Sequence, residues 1–132
     1  MTWYKKTYYN SAKSIVGNDG KIYGSKFEGG YANELVLRKR AGDIKDYQTQ
    51  VNLPLIIVNS LGEKYNVGTY IADFIITHND GSKEIVETKG FATGVFKQKW
   101  KIVEALYSPD YRITCVFMGK GKLRPAKKVI EY

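Results

Sequence analysis

The sequence predicts an α/β domain in which a mixed central β-sheet is flanked by helices. Two turn signals, Asn18-Asp19-Gly20 and Asn79-Asp80-Gly81, each separate short runs rich in β-branched and aromatic residues, which is typical of β-hairpins. Two predicted helices alternate with these strands, the first from its capping residue and the second from apolar residues that recur at helical spacing. Helices interspersed with strands favour a layered α/β arrangement around one sheet.

The N-terminal half predicts a hairpin followed by a helix. The hairpin covers residues 13–23, and the helix covers about 26–41 and ends near Gly42. Ser25 opens this helix, and Ser25-x-x-Glu28 fits a capping box. On the residues alone, Glu28 is explained as part of the helix cap.

The middle of the chain predicts one irregular strand. Residues 48–58 alternate poorly and contain Pro54, so we expect an edge strand or a strand broken at that proline. Gln48 and Gln50 are, on this interpretation, polar residues on an outward strand face. A turn at residues 60–63 leads into the central hairpin.

The C-terminal part predicts a second helix and a last strand. Thr93 caps a helix that runs to about Tyr107, Pro109 terminates it, and a strand covers 111–118. One helix face is apolar and is expected to meet the core: Phe96, Trp100, Val103 and Leu106. The face predicted to point away is mostly basic: Lys97, Lys101 and Glu104. Its interpretations are a phosphate-binding face or an ordinary solvated one.

Length and composition indicate one soluble domain. With 132 residues, 43% of them hydrophobic, we expect a single domain over 1–132 that folds around one core. No apolar run is long enough to span a membrane, and no signal peptide is evident, so we expect a cytoplasmic protein. A single cysteine, Cys115, excludes an internal disulfide. We expect it to be a small buried hydrophobic residue. One histidine and one cysteine argue against a zinc site.

A formal net charge of +8 favours a polyanionic partner such as DNA. Basic and aromatic residues interleave in an N-terminal arm, residues 1–12, which suits phosphate contacts and base stacking or, alternatively, core or dimer packing. The tail, residues 119–132, is basic and glycine-rich. Its predicted phosphate contacts are Lys120, Lys122, Arg124, Lys127 and Lys128.

The central hairpin, residues 70–90, contains charges that a core strand should lack. A three-residue loop over Asn79-Asp80-Gly81, with Gly81 left-handed, pairs His78 with Ser82 and places Asp73 opposite Glu87. A two-residue loop would pair Asp73 with Thr88 instead. The glycine at the third loop position favours the first register.

Two carboxylates held close together on a semi-buried face require a compensating cation. Oxygen ligands of this kind suit Mg²⁺, with Mn²⁺ able to replace it. Lys89 lies two residues beyond Glu87 on the same side of the strand, where an ammonium can orient water or stabilise charge on a phosphate. The alternative is a structural ion pair between Glu87 and Lys89 with Asp73 facing solvent.

Asp73 followed by Glu87-Thr88-Lys89 across a hairpin resembles the Asp…Glu-x-Lys signature of the PD-(D/E)xK nuclease superfamily. A wider ordered set is similar to a group of small phage-encoded nucleases related to phage endonuclease I and the Holliday-junction resolvases. That set comprises Tyr23-Gly24-Ser25-Lys26-x-Glu28, Gln48, Gln50, Tyr70-Ile71-Ala72-Asp73-Phe74 and Glu87-Thr88-Lys89-Gly90-Phe91. Two departures are Ala72 in place of proline and Gly29-Gly30 within the first helix.

The resemblance implies a restriction-endonuclease-like core and metal-dependent hydrolysis of DNA. Asp73, Glu87 and the backbone carbonyl of Thr88 would hold Mg²⁺, Glu28 would ligate directly or through water, and Lys89 would position the attacking water. It also implies that Gln48 and Gln50 lie near the site, that the substrate is branched DNA such as a four-way junction, and that the enzyme is a homodimer. The alternatives are a nuclease for ordinary duplex or single-stranded DNA and a non-catalytic DNA-binding module.

Overall fold

The computed structural model describes residues 15–89 and 93–117, and these form a mixed α/β structure as predicted. The elements in chain order are β1 (Ile15–Val16), β2 (Ile22–Tyr23), α1 (Lys26–Arg40), β3 (Asp46–Val58), β4 (Lys64–Thr77), β5 (Lys83–Lys89), α2 (Gly94–Tyr107) and β6 (Tyr111–Phe117). Predictions for the N-terminal arm, Met118 and the basic tail lie outside the described residues. No helix within the described ranges is long and apolar enough to cross a membrane.

The central sheet has the strand order β3-β4-β5-β6. β3 and β4, and likewise β4 and β5, pair antiparallel and are joined by short loops, whereas β6 runs parallel to β5. A parallel pair requires a long crossover, and α2 provides it. The sheet is therefore mixed, as the sequence predicted, and β1 and β2 form a separate hairpin around Asn18-Asp19-Gly20.

The β4–β5 hairpin has the three-residue loop that the sequence predicted. The His78 N–H donates to the Ser82 carbonyl at 2.8 Å, and Gly81 has φ of 90°. Paired residues then run back from the turn as Thr77 with Lys83 and so on to Phe74 with Val86. One further step in this register sets Asp73 opposite Glu87.

Helix α1 begins at the predicted cap, since the Glu28 N–H donates to Ser25 Oγ at 3.1 Å. Its two adjacent glycines differ in their surroundings. A Cβ on Gly29 would lie 2.3 Å from Ile15 Cδ1 on β1, whereas a Cβ on Gly30 would meet nothing within 4 Å. Gly29 therefore permits the first hairpin to pack closely on the helix, and Gly30 has no such role.

This contrast predicts opposite effects for two alanine substitutions. Gly30→Ala should stabilise the protein by about 0.5–1 kcal/mol, because alanine loses less backbone entropy in a helix. Gly29→Ala should destabilise it by about 1 kcal/mol, because the clash with Ile15 exceeds the same helical gain. Urea unfolding of both variants measures the difference, and equal stabilisation by both would show that β1 does not pack against α1.

Helix α2 begins at Thr93, whose hydroxyl accepts from the Phe96 N–H at 3.1 Å, and it ends at Tyr107 as predicted. Phe96, Trp100 and Val103 are buried, but Leu106 is 38% exposed, so its predicted core position is wrong. The three buried residues are separated by four and three positions, and four positions further along the same face lies the half-buried Tyr107. The basic face is partly confirmed, since Lys97 is exposed and Lys101 and Glu104 are half-buried.

Strand β3 is an edge strand, as one of the two predictions for this segment stated, and it is not broken at Pro54. Pro54 pairs with Thr69 on β4, and its carbonyl accepts from the Tyr107 hydroxyl at 2.6 Å. β4 starts at Lys64, well before the predicted Tyr70, because the β3–β4 ribbon continues beyond the end of β5.

The β3–β4 ribbon changes the side on which it packs at the level of Asp73. Phe74 and Ile76 pack in the core beside α1, whereas Ala72 and Tyr70 pack in the core beside α2, although strict alternation would keep all four together. The change coincides with Gln50 on β3, which has φ of 52°. The same change of side separates Ile75 from Ile71, which alternation would place on one face: Ile75 is buried, but Ile71 is 48% exposed.

Candidate active site

The candidate site lies where this ribbon changes the side on which it packs, a position hereafter called the bend. Gln50 falls between the pairs Thr49–Phe74 and Val51–Ala72, and is therefore opposite Asp73. Glu87 follows on the next strand, and Cys115 is its partner on β6. One row across the four strands thus runs Gln50, Asp73, Glu87, Cys115. A positive φ at a residue other than glycine, as at Gln50, is a backbone strain that clusters at active sites.

Asp73 is held by the strand that carries Glu87. Its Oδ2 accepts from the Thr88 N–H at 2.9 Å and from the Thr88 hydroxyl at 2.8 Å. Both donors bind the same oxygen, so the orientation of the carboxylate is well defined. Thr88 is therefore at the site, but the contacts observed are those of its N–H and hydroxyl, whereas the resemblance implied a role for its carbonyl.

Glu87 is buried, with 5% of its surface exposed. Its Oε1 accepts from the hydroxyl of Tyr70, and its Oε2 lies 3.5 Å from Lys89 Nζ. The Tyr70 ring is itself buried and lies 5.9 Å from the Trp100 ring on α2. The two oxygens of Glu87 are thus directed toward different partners.

Glu28 approaches the same row from α1. Its Oε2 accepts from Gln50 Nε2 at 2.8 Å, while its backbone N–H serves the helix cap. The two interpretations of Glu28 that the sequence left open are therefore compatible, because backbone and side chain have separate roles. Gln48 and Gln50 are both exposed on β3, and it is Gln50 that makes this contact with Glu28.

Lys89 lies between the acids and α2. Its Nζ is 4.5 Å from the centroid of the Phe96 ring, and its side chain is 14% exposed. An ammonium over an aromatic face in a largely desolvated position gains cation–π stabilisation. The first turn of α2 therefore fixes the direction in which Lys89 reaches toward Glu87.

The pKa values of the three acids are all raised. Burial raises the pKa of Asp73 and, well above its usual range, that of Glu87, where the charge of Asp73 adds to the effect. Burial and then the charge of Asp73 raise the pKa of Glu28 to about 7. Lys89 acts in the opposite direction on all three. The site therefore holds more negative charge than its surroundings neutralise, which is the condition that favours a bound cation.

This electrostatic balance predicts an unusual pH dependence of the metal-free protein. A carboxyl whose pKa is higher in the folded than in the unfolded state contributes stability below the unfolded pKa, near 4.5 for glutamate, and loses it as pH rises through the folded pKa, about 7 for Glu28. In EDTA the melting temperature should accordingly rise as the pH is lowered from about 8 to about 5. Glu28→Gln should reduce that slope, and a melting temperature that falls over this interval would contradict the assignment.

Acids whose pKa is lowered do not change the stability of the protein between about pH 5 and pH 8. Hydrogen bonds from Ser82 lower the pKa of Asp80, and a hydrogen bond from Lys39 lowers that of Asp46. Their stabilising contribution is present above about pH 4 and is lost only at lower pH. Asp46 and Asp80 consequently do not contribute to the slope between pH 5 and 8, and the difference between the wild type and Glu28→Gln reports the site.

The carboxylate oxygens of the site are ligands that suit a hard cation such as Mg²⁺ or Mn²⁺. In residues 15–89 and 93–117, no three His, Cys, Asp or Glu side chains are already arranged as a complete ligand group. Mg²⁺ is commonly bound through one or two carboxylates and several waters, so Asp73 with Glu87 is sufficient for it. Cys115 is half-buried, and burial raises the pKa of its thiol to about 12, so it offers no thiolate at neutral pH.

Of the predicted site residues, Glu28, Asp73, Glu87, Thr88 and Lys89 are therefore brought together. The predicted phosphate contacts Lys97 and Lys101 lie on α2, and the remaining five lie outside the described residues. Two participants that the residues alone did not predict are Tyr70, as the partner of Glu87, and Gln50, as the partner of Glu28. The sequence predicts strands at both positions, but it does not predict the bend that brings the two side chains to the acids.

The fold and the site together define a mixed α/β protein with a partly buried group of acids and a lysine at the bend of its central sheet. Residues 6–122 match the family described as Protein of unknown function (DUF1064), and the chain belongs to that family. Neither the curated proteins nor the solved structures include a significant match to this chain.

Proposed function

We propose that this protein is a metal-dependent endonuclease that hydrolyses phosphodiester bonds in DNA, with branched DNA such as a four-way junction as its substrate. The observation that carries the proposal is the convergence of Asp73, Glu87 and Glu28 with Lys89 in a largely buried group on a protein of net charge +8. Uncompensated acids are costly on the nucleic-acid-binding side of a basic protein, and a divalent cation removes that cost.

Asp73 and Glu87 would hold Mg²⁺, with Glu28 ligating directly or through water and the Thr88 carbonyl as a further candidate ligand. A bound Mg²⁺ supplies an activated water and neutralises charge that develops on the phosphate. Thr88 keeps one oxygen of Asp73 occupied, so that carboxylate presents a fixed edge. Lys89, held over Phe96, orients the attacking water and stabilises negative charge on the phosphoryl oxygens.

The basic residues outside the site supply affinity for the backbone of DNA. Lys97 is exposed on the helix that follows the site, and Lys101 lies one turn further along it. The tail residues Lys120, Lys122, Arg124, Lys127 and Lys128 would extend these contacts. Preference for a branched substrate and action as a homodimer rest on the resemblance to junction-resolving nucleases. Residence in the cytoplasm completes the proposal, because a single cysteine suits a reducing compartment.

The test compares labelled four-way junction DNA with linear duplex of matched sequence, in Mg²⁺ or EDTA, for the wild type and Glu87→Ala. Metal-dependent cuts near the junction that are absent in the variant would support a junction-resolving enzyme. Equal cutting of both DNAs would retain the nuclease and discard the preference for junctions. Binding without cutting in either Mg²⁺ or Mn²⁺ would leave a DNA-binding module and remove the catalytic assignment.

A further inference from the structure

Tyr70 is a buried tyrosine whose hydroxyl is directed at one atom of the acid group. It is 5% exposed, and its hydroxyl donates to Glu87 Oε1. The phenol hydroxyl is the donor and the carboxylate oxygen the acceptor in this contact. Its ring packs beside Trp100 and the aliphatic core around α2.

This contact is one of three that share a pattern. A neutral side-chain donor binds one oxygen of each acid: Gln50 on Glu28 Oε2, Thr88 on Asp73 Oδ2 and Tyr70 on Glu87 Oε1. Each donor comes from the central sheet, whose strands are rigid compared with loops. Groups that bind metal ligands in this way orient the ligand and increase its basicity.

The Tyr70 contact is the most constrained of the three. Gln50 is exposed, and Thr88 reaches Asp73 through a short side chain, whereas Tyr70 reaches Glu87, 17 residues later, from a whole ring that is enclosed on the α2 side. Rotation of the Glu87 carboxylate would leave a buried phenol without its partner, which costs free energy. Oε2 is therefore held on the side of Lys89, 3.5 Å from its ammonium.

We infer that Tyr70 is a positioning residue for metal binding, which fixes the Glu87 carboxylate so that Oε2 is presented to a divalent cation beside Lys89. This inference rests on the proposed function, because it assigns a role within the same site. Tyr70 does not contact the reacting phosphate. It acts through Glu87, so its contribution is expressed in metal affinity before it is expressed in turnover.

The experiment measures Mn²⁺ affinity by electron paramagnetic resonance, without DNA, for the wild type, Tyr70→Phe and Tyr107→Phe. Tyr107→Phe is the matched control, because it also removes a hydroxyl hydrogen bond, that to the Pro54 carbonyl, from a residue beside the same core. Tyr70→Phe should weaken Mn²⁺ binding about 10- to 100-fold, and Tyr107→Phe should leave it unchanged. Urea unfolding of both variants shows whether each has lost stability.

The outcomes separate this inference from the proposed function. Wild-type affinity in a folded Tyr70→Phe variant, with wild-type metal-dependent cleavage, would overturn the positioning role and leave the nuclease intact. Wild-type protein that binds no Mn²⁺ would overturn both. If Tyr70→Phe is too unstable to assay, Tyr70→Phe combined with the stabilising Gly30→Ala takes its place. Cleavage in excess Mn²⁺ should then recover toward the wild-type rate, since Tyr70 acts on affinity.

Discussion

Glu87→Gln is expected to raise the melting temperature of the metal-free protein and to abolish metal-dependent cleavage. Glu87 is 5% exposed and lies opposite Asp73, so at neutral pH the pair requires either a shared proton or a cation. Glutamine keeps the size of the side chain and can still accept from Tyr70, but it carries no charge. Removing the repulsion should stabilise the protein by about 1 kcal/mol, or roughly 3–5 °C in melting temperature.

The loss of activity follows from the same change. An amide oxygen is a poorer ligand for Mg²⁺ than a carboxylate, so we expect a decrease in cleavage of about 10³-fold or more. The stabilisation that Mg²⁺ gives the wild type should also disappear, because a ligand stabilises only the state that binds it. Differential scanning fluorimetry in EDTA and in Mg²⁺, together with the cleavage assay, measures all three effects.

Glu84→Gln is the matched control on the same strand. Glu84 is also buried, at 9% exposure, but its carboxylate has partners: His78 Nε2 at 2.8 Å, the Thr114 hydroxyl, and Arg112. Neutralising a buried acid that is already paired should destabilise the protein, by about 1–3 kcal/mol, and leave cleavage intact. If Glu87→Gln also destabilised the protein and retained cleavage, Glu87 would be a structural residue like Glu84.

The hairpin that carries the site was predictable because its determinants are local. Asn79, Asp80 and Gly81 specify a three-residue loop, and the loop fixes which residues are opposed. The helix caps at Ser25 and Thr93 are equally local, since each hydroxyl bonds an N–H three residues later. For these elements the turn and cap chemistry alone determines the result.

The parts that the sequence did not predict depend on contacts between distant segments. The bend at Gln50 and Asp73 arises where one strand pair serves two separate cores, and no local signal marks it. The early start of β4 at Lys64 follows from its long pairing with β3. The residues next to Tyr70 mark it only as part of a strand, and it is the bend that brings its hydroxyl to Glu87.

Lys89→Met is expected to lower cleavage by about 10²–10³-fold at saturating DNA while leaving DNA affinity nearly unchanged. Methionine approximates the length of the lysine stem and keeps the contact with Phe96, so the change is chiefly the loss of the ammonium. Lys97→Met, on the exposed face of α2, is the contrasting control, because it should weaken DNA binding and leave the rate at saturating DNA unaltered. A reversed pattern would place Lys89 among the residues that bind the backbone.

Lys89→Met should also change how metal affinity depends on pH. Lys89 lowers the pKa values of Asp73, Glu87 and Glu28, so its removal raises all three, and protons then compete with the metal up to a higher pH. Near pH 7 the variant should therefore bind Mn²⁺ more weakly than the wild type. At a pH high enough to ionise the acids of the variant, it should bind Mn²⁺ at least as tightly, because the repulsion between the ammonium and the cation is gone. The two affinity curves should cross, since one positive charge both keeps the acids ionised and repels the ion that they bind.

Parallel affinity curves for the wild type and the variant would mean that Lys89 lies too far from the cation to affect it. The role of Lys89 would then be that of an ion-pair partner for Glu87.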